Sequence, residues 1–373
     1  RDWSSDVCSS DLLLPPTDKK AGNETIKGLF ADHPELYSLN SAGKREADWA
    51  HGICGTNPEL PTFLAAGLER DIKRRIEQNR DGKVDWSLPF SAAQGDGFTG
   101  CRCADCRKLV QEQQSEAAPL VLALNRALEI VQKTYPEAQV ITFAYFESLD
   151  APKTLVPHKN LWVNVVSSAR SQNAAGDQVG LIAGDPANPA NRDYAKAIRD
   201  WPRIAPGRVT VWHWDTYRAE WPSVFYVADN LRFMRDSGIY GVNPQFCGGP
   251  WTDLLAWLYV KLAWNPDQDA DKLIRQYLDD NYGREAAVHV WDYLKLAQAA
   301  YADCCLVPSA VRWSGWTELT RLKIFQPQLE KMTQAMDQAL AAAEKAGDKR
   351  RLANLLTARG SSLDLLTLSE VAW

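Results

Sequence analysis

Stretches built for β-strands recur along this chain near residues 51, 84, 139, 161, 209 and 239, and most of the gaps between them carry helical periodicity. That alternation constrains the fold more than any other feature, because neighbouring parallel strands need a crossover that commonly holds a helix. The expected strands are 51–54 (HGIC), 84–90 (VDWSLPF), 139–146 (QVITFAYF), 161–167 (LWVNVVS), 209–214 (VTVWHW) and 239–243 (IYGVN), most of them rich in β-branched and aromatic residues. Between them, Phe63, Leu64, Leu68, Ile72 and Ile76 sit at spacings of three and four in a helix opening at Asn57 and Pro58. Further helices are expected over 104–135, where Pro136 forbids continuation, and over 191–201 and 223–236. Residues 168–190, rich in Ala, Gly, Asn and Asp, read as a long loop of the kind usually kept for function.

From Thr252 onward the pattern is helical throughout, over 252–263, 268–281, 285–303, 317–346 and 349–366. The predicted fold class is therefore α/β: a (β/α)8 TIM-like barrel, followed by a C-terminal helical region. Six strands fall two short of eight, so the barrel is expected to be incomplete, with its first strands ahead of residue 1. The expected boundaries are a loop lead-in over 1–28, the barrel over 29–305 and a truncated helical region over 306–373. The opening string RDWSSDVCSSDL has neither the basic nor the apolar part of a signal peptide; it resembles adaptor read-through.

Charge narrows the partners. A net charge of −5 with no run of five Lys or Arg gives no basic surface for a phosphate backbone, which excludes nucleic acid. No window approaches the eighteen apolar residues of a membrane span. Tryptophan, with 15 copies in 373 residues, is over-represented, and its flat ring with one N–H donor suits stacking on a sugar. The competing role for each ring is plain core packing.

In a barrel the loops leaving the carboxyl ends of the strands carry the ligand. The loop after the second expected strand, Ser91 to Cys106 (SAAQGDGFTGCRCADC), holds Asp96 between Gly95 and Gly97. Glu147 follows ITFAYF and Asp215 follows VTVWHW. Hydrolysis of a glycosidic bond takes two carboxyl groups, so Asp96 and Asp215 are the first candidates and Glu147 the third. Trp212, His213, Trp214 and Tyr217 surround Asp215 with aromatic groups able to raise a carboxyl pKa. Asn243 and Gln245 are placed to bond sugar hydroxyls, and Tyr145, Trp212, Trp214 and Trp251 to stack on sugar rings. For each acid the alternative is a surface carboxylate or a turn and helix cap.

Cys101, Cys103 and Cys106 are spaced C-x-C-x-x-C, and Cys54 closes a neighbouring strand. Two readings stay open: a structural zinc held by four thiolates, or disulfides that use Cys106 or Cys54, since Cys101 and Cys103 lie too close in an extended chain to pair. Cys247, Cys304 and Cys305 read as small buried hydrophobes. No other cofactor is expected, because GDGFTG lacks the Lys-Ser/Thr of a phosphate cradle and no H-x-H or H-x-x-x-H spacing occurs.

Five strings, HPELYSLNSAGKR (33–45), CGTNPE (54–59), GDGFTGCRCADC (95–106), YPEAQVITFAY (135–145) and LYVKLAWNPDQD (258–269), resemble the DUF4838 family of bacterial proteins. The resemblance implies a glycoside-hydrolase-like barrel in an exported protein of polysaccharide-degrading bacteria. It also implies a preceding domain similar to that of α-glucuronidases, absent from this chain, and export tilts the cysteines toward disulfides. It brings no catalytic pair with it. Many barrel glycosidases place a glutamate where this chain reads GVNPQFCGG, which has none. The expected function is a glycoside hydrolase acting on a polysaccharide or oligosaccharide; the alternatives are a glycan-binding barrel without catalysis and a structural module of a larger exported protein.

Overall fold

The computed structural model describes residues 30–45, 52–95, 98–166, 189–216, 223–246, 251–302 and 325–364. The architecture is α/β. Five strands, β1 (Phe90–Ser91), β2 (Val140–Ala144), β3 (Leu161–Val166), β4 (Val209–Thr216) and β5 (Gly241–Phe246), form one sheet in chain order. β1 and β2 run parallel with Phe90 opposite Val140, and β2 and β3 run parallel from Val140 opposite Leu161 to Ala144 opposite Val165. Val163 N–H donates to the Arg208 carbonyl at 3.0 Å and Tyr240 N–H to that of Val209 at 2.8 Å, which carries the ladder toward β4 and β5. Aliphatic residues, most of them β-branched, make these strands: Leu161, Val163, Val165, Val209 and Val211 are fully buried, each worth roughly 1.5–3 kcal/mol of apolar burial. Pro244 cannot donate to a ladder, and it falls in β5, the last strand of the order.

The helices are α1 (Leu60–Gln78), α2 (Ala104–Gln113), α3 (Ala118–Val131), α4 (Pro189–Ile204), α5 (Val227–Asp236), α6 (Thr252–Trp264), α7 (Ala270–Tyr282), α8 (Arg284–Ala302), α9 (Leu329–Ala346) and α10 (Lys349–Arg359). The crossovers β1–β2, β3–β4 and β4–β5 contain helices. The β2–β3 crossover holds only a single 3-10 turn, Phe146–Ser148.

The chain divides into two compact units. The first takes residues 1–166, 196–211 and 238–240. Its core is the packing of α1 on α3, with Leu64, Leu68 and Ile72 on one helix and Leu124, Leu128 and Val131 on the other all buried. The second takes residues 167–195, 212–237 and 241–373. Here α8 packs along α9, and α7 and α10 add to them, burying Ile274, Leu278, Val290, Leu294, Met332, Met336 and Leu355. The expected C-terminal helices are thus present. Asp269 caps α7 by accepting from Lys272 N–H at 3.0 Å, and Asp348 caps α10 by accepting from Arg350 and Arg351 N–H. None of the described helices is long and apolar enough to cross a membrane.

Four expectations need correction. Among the described residues the sheet has five strands where six were expected. The strand expected at 51–54 does not join that sheet: Ile53 makes an isolated antiparallel bridge with Tyr37, Ser38 N–H donates to Gly52 carbonyl and Cys54 N–H to Leu36 carbonyl. Gly52, at φ +74°, turns the backbone out of the extended region at that point. The strand expected over 84–90 shrinks to Phe90 and Ser91, because Asp85 organises a turn that accepts Ser87 N–H on its side chain and Leu88 N–H on its carbonyl. The helix expected over 104–135 is two helices, broken at Gln114 in the left-handed region (φ 53°) and restarted where Ser115 Oγ accepts Ala117 N–H and Pro119 enters the first turn.

Candidate functional site

The C-x-C-x-x-C string lies at the amino-terminal end of α2. Cys103 is the N-cap, in extended conformation, and its sulfur accepts the backbone N–H of Cys106 at 3.5 Å. A helix N-terminus favours the thiolate over the thiol. Cys101, two residues earlier and 3% exposed, accepts the N–H of Leu39 on its sulfur at 3.2 Å. The fourth sulfur comes from the segment that bridges Tyr37. Cys54 Sγ stands 3.6 Å from Cys103 Sγ and 4.0 Å from Cys106 Sγ.

All four sulfurs lie within 4.8 Å of one another. All four are free thiols, which corrects the disulfide expectation: a bridge would need about 2.05 Å between sulfurs. Around a tetrahedral ion with metal–sulfur bonds of about 2.3 Å, the sulfurs would be about 3.8 Å apart. The observed separations suit a metal ion and not a bridge. The cluster is buried, with Cys106 at 0% exposure and Leu39 packed against it. Thr56 Oγ1 lies 3.0 Å from Cys106 Sγ. A Cβ added at Gly55 would lie 2.1 Å from the Pro119 carbonyl oxygen, so only glycine lets the Cys54 turn press onto the start of α3.

The electrostatics match this crowding. Hydrogen bonds from Cys101 and Cys106 hold the Cys54 thiol far below its ordinary range. For Cys101 the bond from Cys106 works downward, but the Cys54 thiolate and burial outweigh it and push the thiol up to about 11. Cys106 is pushed up by Cys101, by Cys54 and by burial. Four sulfurs this close cannot all carry charge without a cation among them. Arg45 is one cation near them. Burial works against its charge, but its hydrogen bond to Cys54 and the fields of Cys54, Cys101 and Cys103 raise it overall.

Only some of the expected strand-end residues are among the described ones. Asp96 and Tyr217 lie outside the described residues, and for Trp214 and Asp215 only the backbone in β4 is described. Most of the expected 168–190 loop, and Cys247, Cys304 and Cys305, also lie outside the described residues. Glu147 is exposed in the 3-10 turn after β2. Tyr145 is 3% exposed, with its ring against Phe146 and Phe143, and Trp251 is 2% exposed against Tyr293. Both rings are therefore core residues where open platforms were expected. His213, 3% exposed, bonds the hydroxyl of Tyr259 on α6 through Nδ1. Its neighbour Trp212 projects to the opposite side of the strand, where its Nε1 donates to Gln245 Oε1 of β5 at 3.0 Å. Asn243 is exposed on the same strand.

Sequence reasoning did not single out Arg45, Leu39 or Thr56 beside the cysteines. Thr56 follows Cys54 by two positions and had a local signal; the other two are brought in by a hairpin. It also passed over Gln94, which is buried just after β1 and donates through Nε2 to the Tyr145 carbonyl at 3.1 Å. His33, Glu35 and Glu59 also gather within 4.8 Å, but partly or fully in solvent.

The family model described as "Domain of unknown function (DUF4838)" matches residues 25–295. No curated protein matches the sequence.

Proposed function

The chain belongs to the DUF4838 family, and we propose that it is an exported carbohydrate-active protein, a glycoside hydrolase working at the carboxyl ends of its parallel strands. The observation that carries this reading is the Trp212–Gln245 bond. It sets the largely buried ring of Trp212, midway along β4, against an amide near the carboxyl end of β5, and sugar recognition combines such a ring with such a polar group. The chain-ordered parallel sheet supports it further, since loops at that end carry the chemistry in barrels of this kind.

In the proposed reaction Asp96 and Asp215 are the acid and the base or nucleophile, with Glu147 as the reserve candidate. One carboxyl protonates the leaving oxygen while the other acts on the opposite face of the sugar. Trp212, Trp214, Tyr217, Asn243 and Gln245 contact the substrate. The four cysteines serve as a structural zinc site, which contributes folding energy and takes no part in the chemistry.

A screen of aryl-glycosides and uronic-acid oligosaccharides, run beside Asp96→Asn and Asp215→Asn, tests the proposal. Turnover that falls by about a hundredfold or more in both variants supports a two-carboxylate mechanism. No turnover on any substrate, with glycan binding that survives both substitutions, would replace it with a non-catalytic glycan-binding protein. The amide of Gln245, standing where a hydrolase often carries a carboxylate, is the observation that favours that second reading.

A further inference from the structure

Trp264 is the most exposed large apolar side chain among the described residues, at 91%, and Val260, one turn before it on α6, is 73% exposed. The core uses neither. α6 buries Leu254, Leu255, Leu258 and Leu262, and its other tryptophan, Trp257, packs on the ring of Tyr277 at 5.6 Å with the Lys261 ammonium over its face. An indole left in water is costly, so an open one marks a surface that something else covers.

The ring stands beside a fixed turn. Asn265, the C-cap of α6, accepts Asp267 N–H on Oδ1 at 3.1 Å, and Gln268 Nε2 donates to the carbonyls of Lys261 at 2.8 Å and Asn265 at 3.1 Å. α5 holds the same turn from the side: Arg232 donates to the Pro266 carbonyl at 2.8 Å, and Arg235 pairs with Asp267 at 2.7 Å. The backbone that carries Trp264 is therefore ordered before any ligand arrives, which removes part of the cost of binding.

Size and charge select the occupant. A tryptophan side chain offers about 150–250 Å², and one valine adds little to it, whereas a stable protein interface takes roughly 800 Å² from each partner. A second protein chain would find too little to hold. Over Thr252–Lys272 four aspartates stand against two lysines, a balance that repels an anionic lipid surface. A sugar ring suits both conditions. Its C–H face stacks on an indole, and Asn265 and Lys261, exposed on the same helix end, offer an amide and an ammonium to its hydroxyls.

We infer that Trp264 is a stacking platform for a sugar ring of a polysaccharide, at a site apart from the one proposed for the reaction. It ends the 13 residues of α6, about 20 Å of helix from the loop that leaves β5. The inference shares with the proposed function only the class of ligand. A platform in this place holds a long chain on the protein and does not touch the bond that is cut.

The test uses the full chain beside Trp264→Ala and Trp264→Phe. Binding is read by electrophoresis through gels containing soluble xylan, mixed-linkage glucan, galactomannan or polygalacturonate. The same preparations are assayed on aryl-glycosides, sedimented over a range of concentrations and mixed with phosphatidylserine vesicles. The parent protein should be retarded by at least one polysaccharide, and Trp264→Ala should weaken that binding about tenfold or more. Trp264→Phe keeps a flat ring and should fall between the two. Melting and aryl-glycoside turnover should be the same in all three. A parent protein that binds none of the polysaccharides overturns the inference, while turnover of an aryl-glycoside by that protein would leave the proposed function standing. Glycan binding that Trp264→Ala retains in full overturns the platform alone. Self-association or vesicle binding that disappears in Trp264→Ala, with glycan binding unchanged, would give the ring to a second copy or to a lipid surface instead.

Discussion

Leu39 N–H donates to Cys101 Sγ at 3.2 Å, a bond that reaches across 62 residues of chain. It joins a hairpin strap to a cysteine loop that shares no local signal with it. An N–H donor favours a charged sulfur over a neutral thiol, so this contact strengthens when the sulfur becomes a metal ligand. Thiolate chemistry and chain path are therefore coupled at this point, and the first consequence is a stability that depends on metal.

Removing zinc should lower the stability of the first unit. At free zinc about a thousand times the dissociation constant, the loaded protein gains about 4 kcal/mol over the metal-free one. Urea unfolding with and without a strong chelator measures the gain, and hydrogen exchange locates it: the amides of Leu39 and Arg102 should lose protection while those within α8 and α9 keep theirs. Equal stability in both conditions would show that the cluster carries no structural ion.

Gly55→Ala places a Cβ where the Pro119 carbonyl oxygen already lies, at 2.1 Å. The backbone must move, and overpacking of this severity costs about 3 kcal/mol. The same movement pulls Cys54 away from its partners, so the variant should also release zinc more readily. Denaturant melting and chelator competition on one preparation report both effects. An alanine variant as stable as the parent would mean that the Cys54 turn does not press on α3.

His158 links stability to acid. Burial, then the charge of Lys159, holds its imidazole below the ordinary value of 6.5. Its Nδ1 accepts the Asn160 N–H at 3.1 Å, which only the unprotonated nitrogen can do. The unfolded chain thus takes up the proton more readily than the folded one. This contribution is present in full above the ordinary value and is lost as pH falls through it toward the lower folded value. His158→Gln should flatten the stability profile over that window, and an NMR titration of the ring gives the folded value directly. A titration midpoint above 6.5 would reverse the sign.

Gln245→Ala should free the Trp212 ring while leaving the sheet intact. If glycans bind there, loss of one hydrogen bond and of the ring's orientation weakens binding about tenfold, near 1.4 kcal/mol. Trp212→Ala should abolish it. Calorimetry with the oligosaccharides of the activity screen measures both, and unchanged affinity in both variants would move the sugar site elsewhere.

Much of this protein is legible in its residues. Alternation and β-branching placed β2, β3 and β4 to within about two residues of their observed ends, because strand propensity is a property of neighbours two positions apart. The helices between Thr252 and Ala302 were equally plain, since apolar spacing of three and four persists through them. C-x-C-x-x-C announced a metal site or a bridge without choosing between the two. The choice needed Cys54 Sγ at 3.6 Å from Cys103 Sγ, a relationship between residues 49 positions apart.

The same division holds for the aromatic residues. Sequence identified Tyr145, Trp212 and Trp251 as rings at strand ends, but a ring is a platform or a core filler according to what packs on its faces. Phe143 and Phe146 cover Tyr145, Tyr293 lies against Trp251, and Gln245 fixes the edge of Trp212. The sequence by itself determined the alternation of elements, the family and the chemistry available at each loop, because these depend on residues near one another along the chain. Tertiary structure alone decided which sulfurs share a point and which rings are buried, because both depend on distance in space, and distant segments meet only when the core closes.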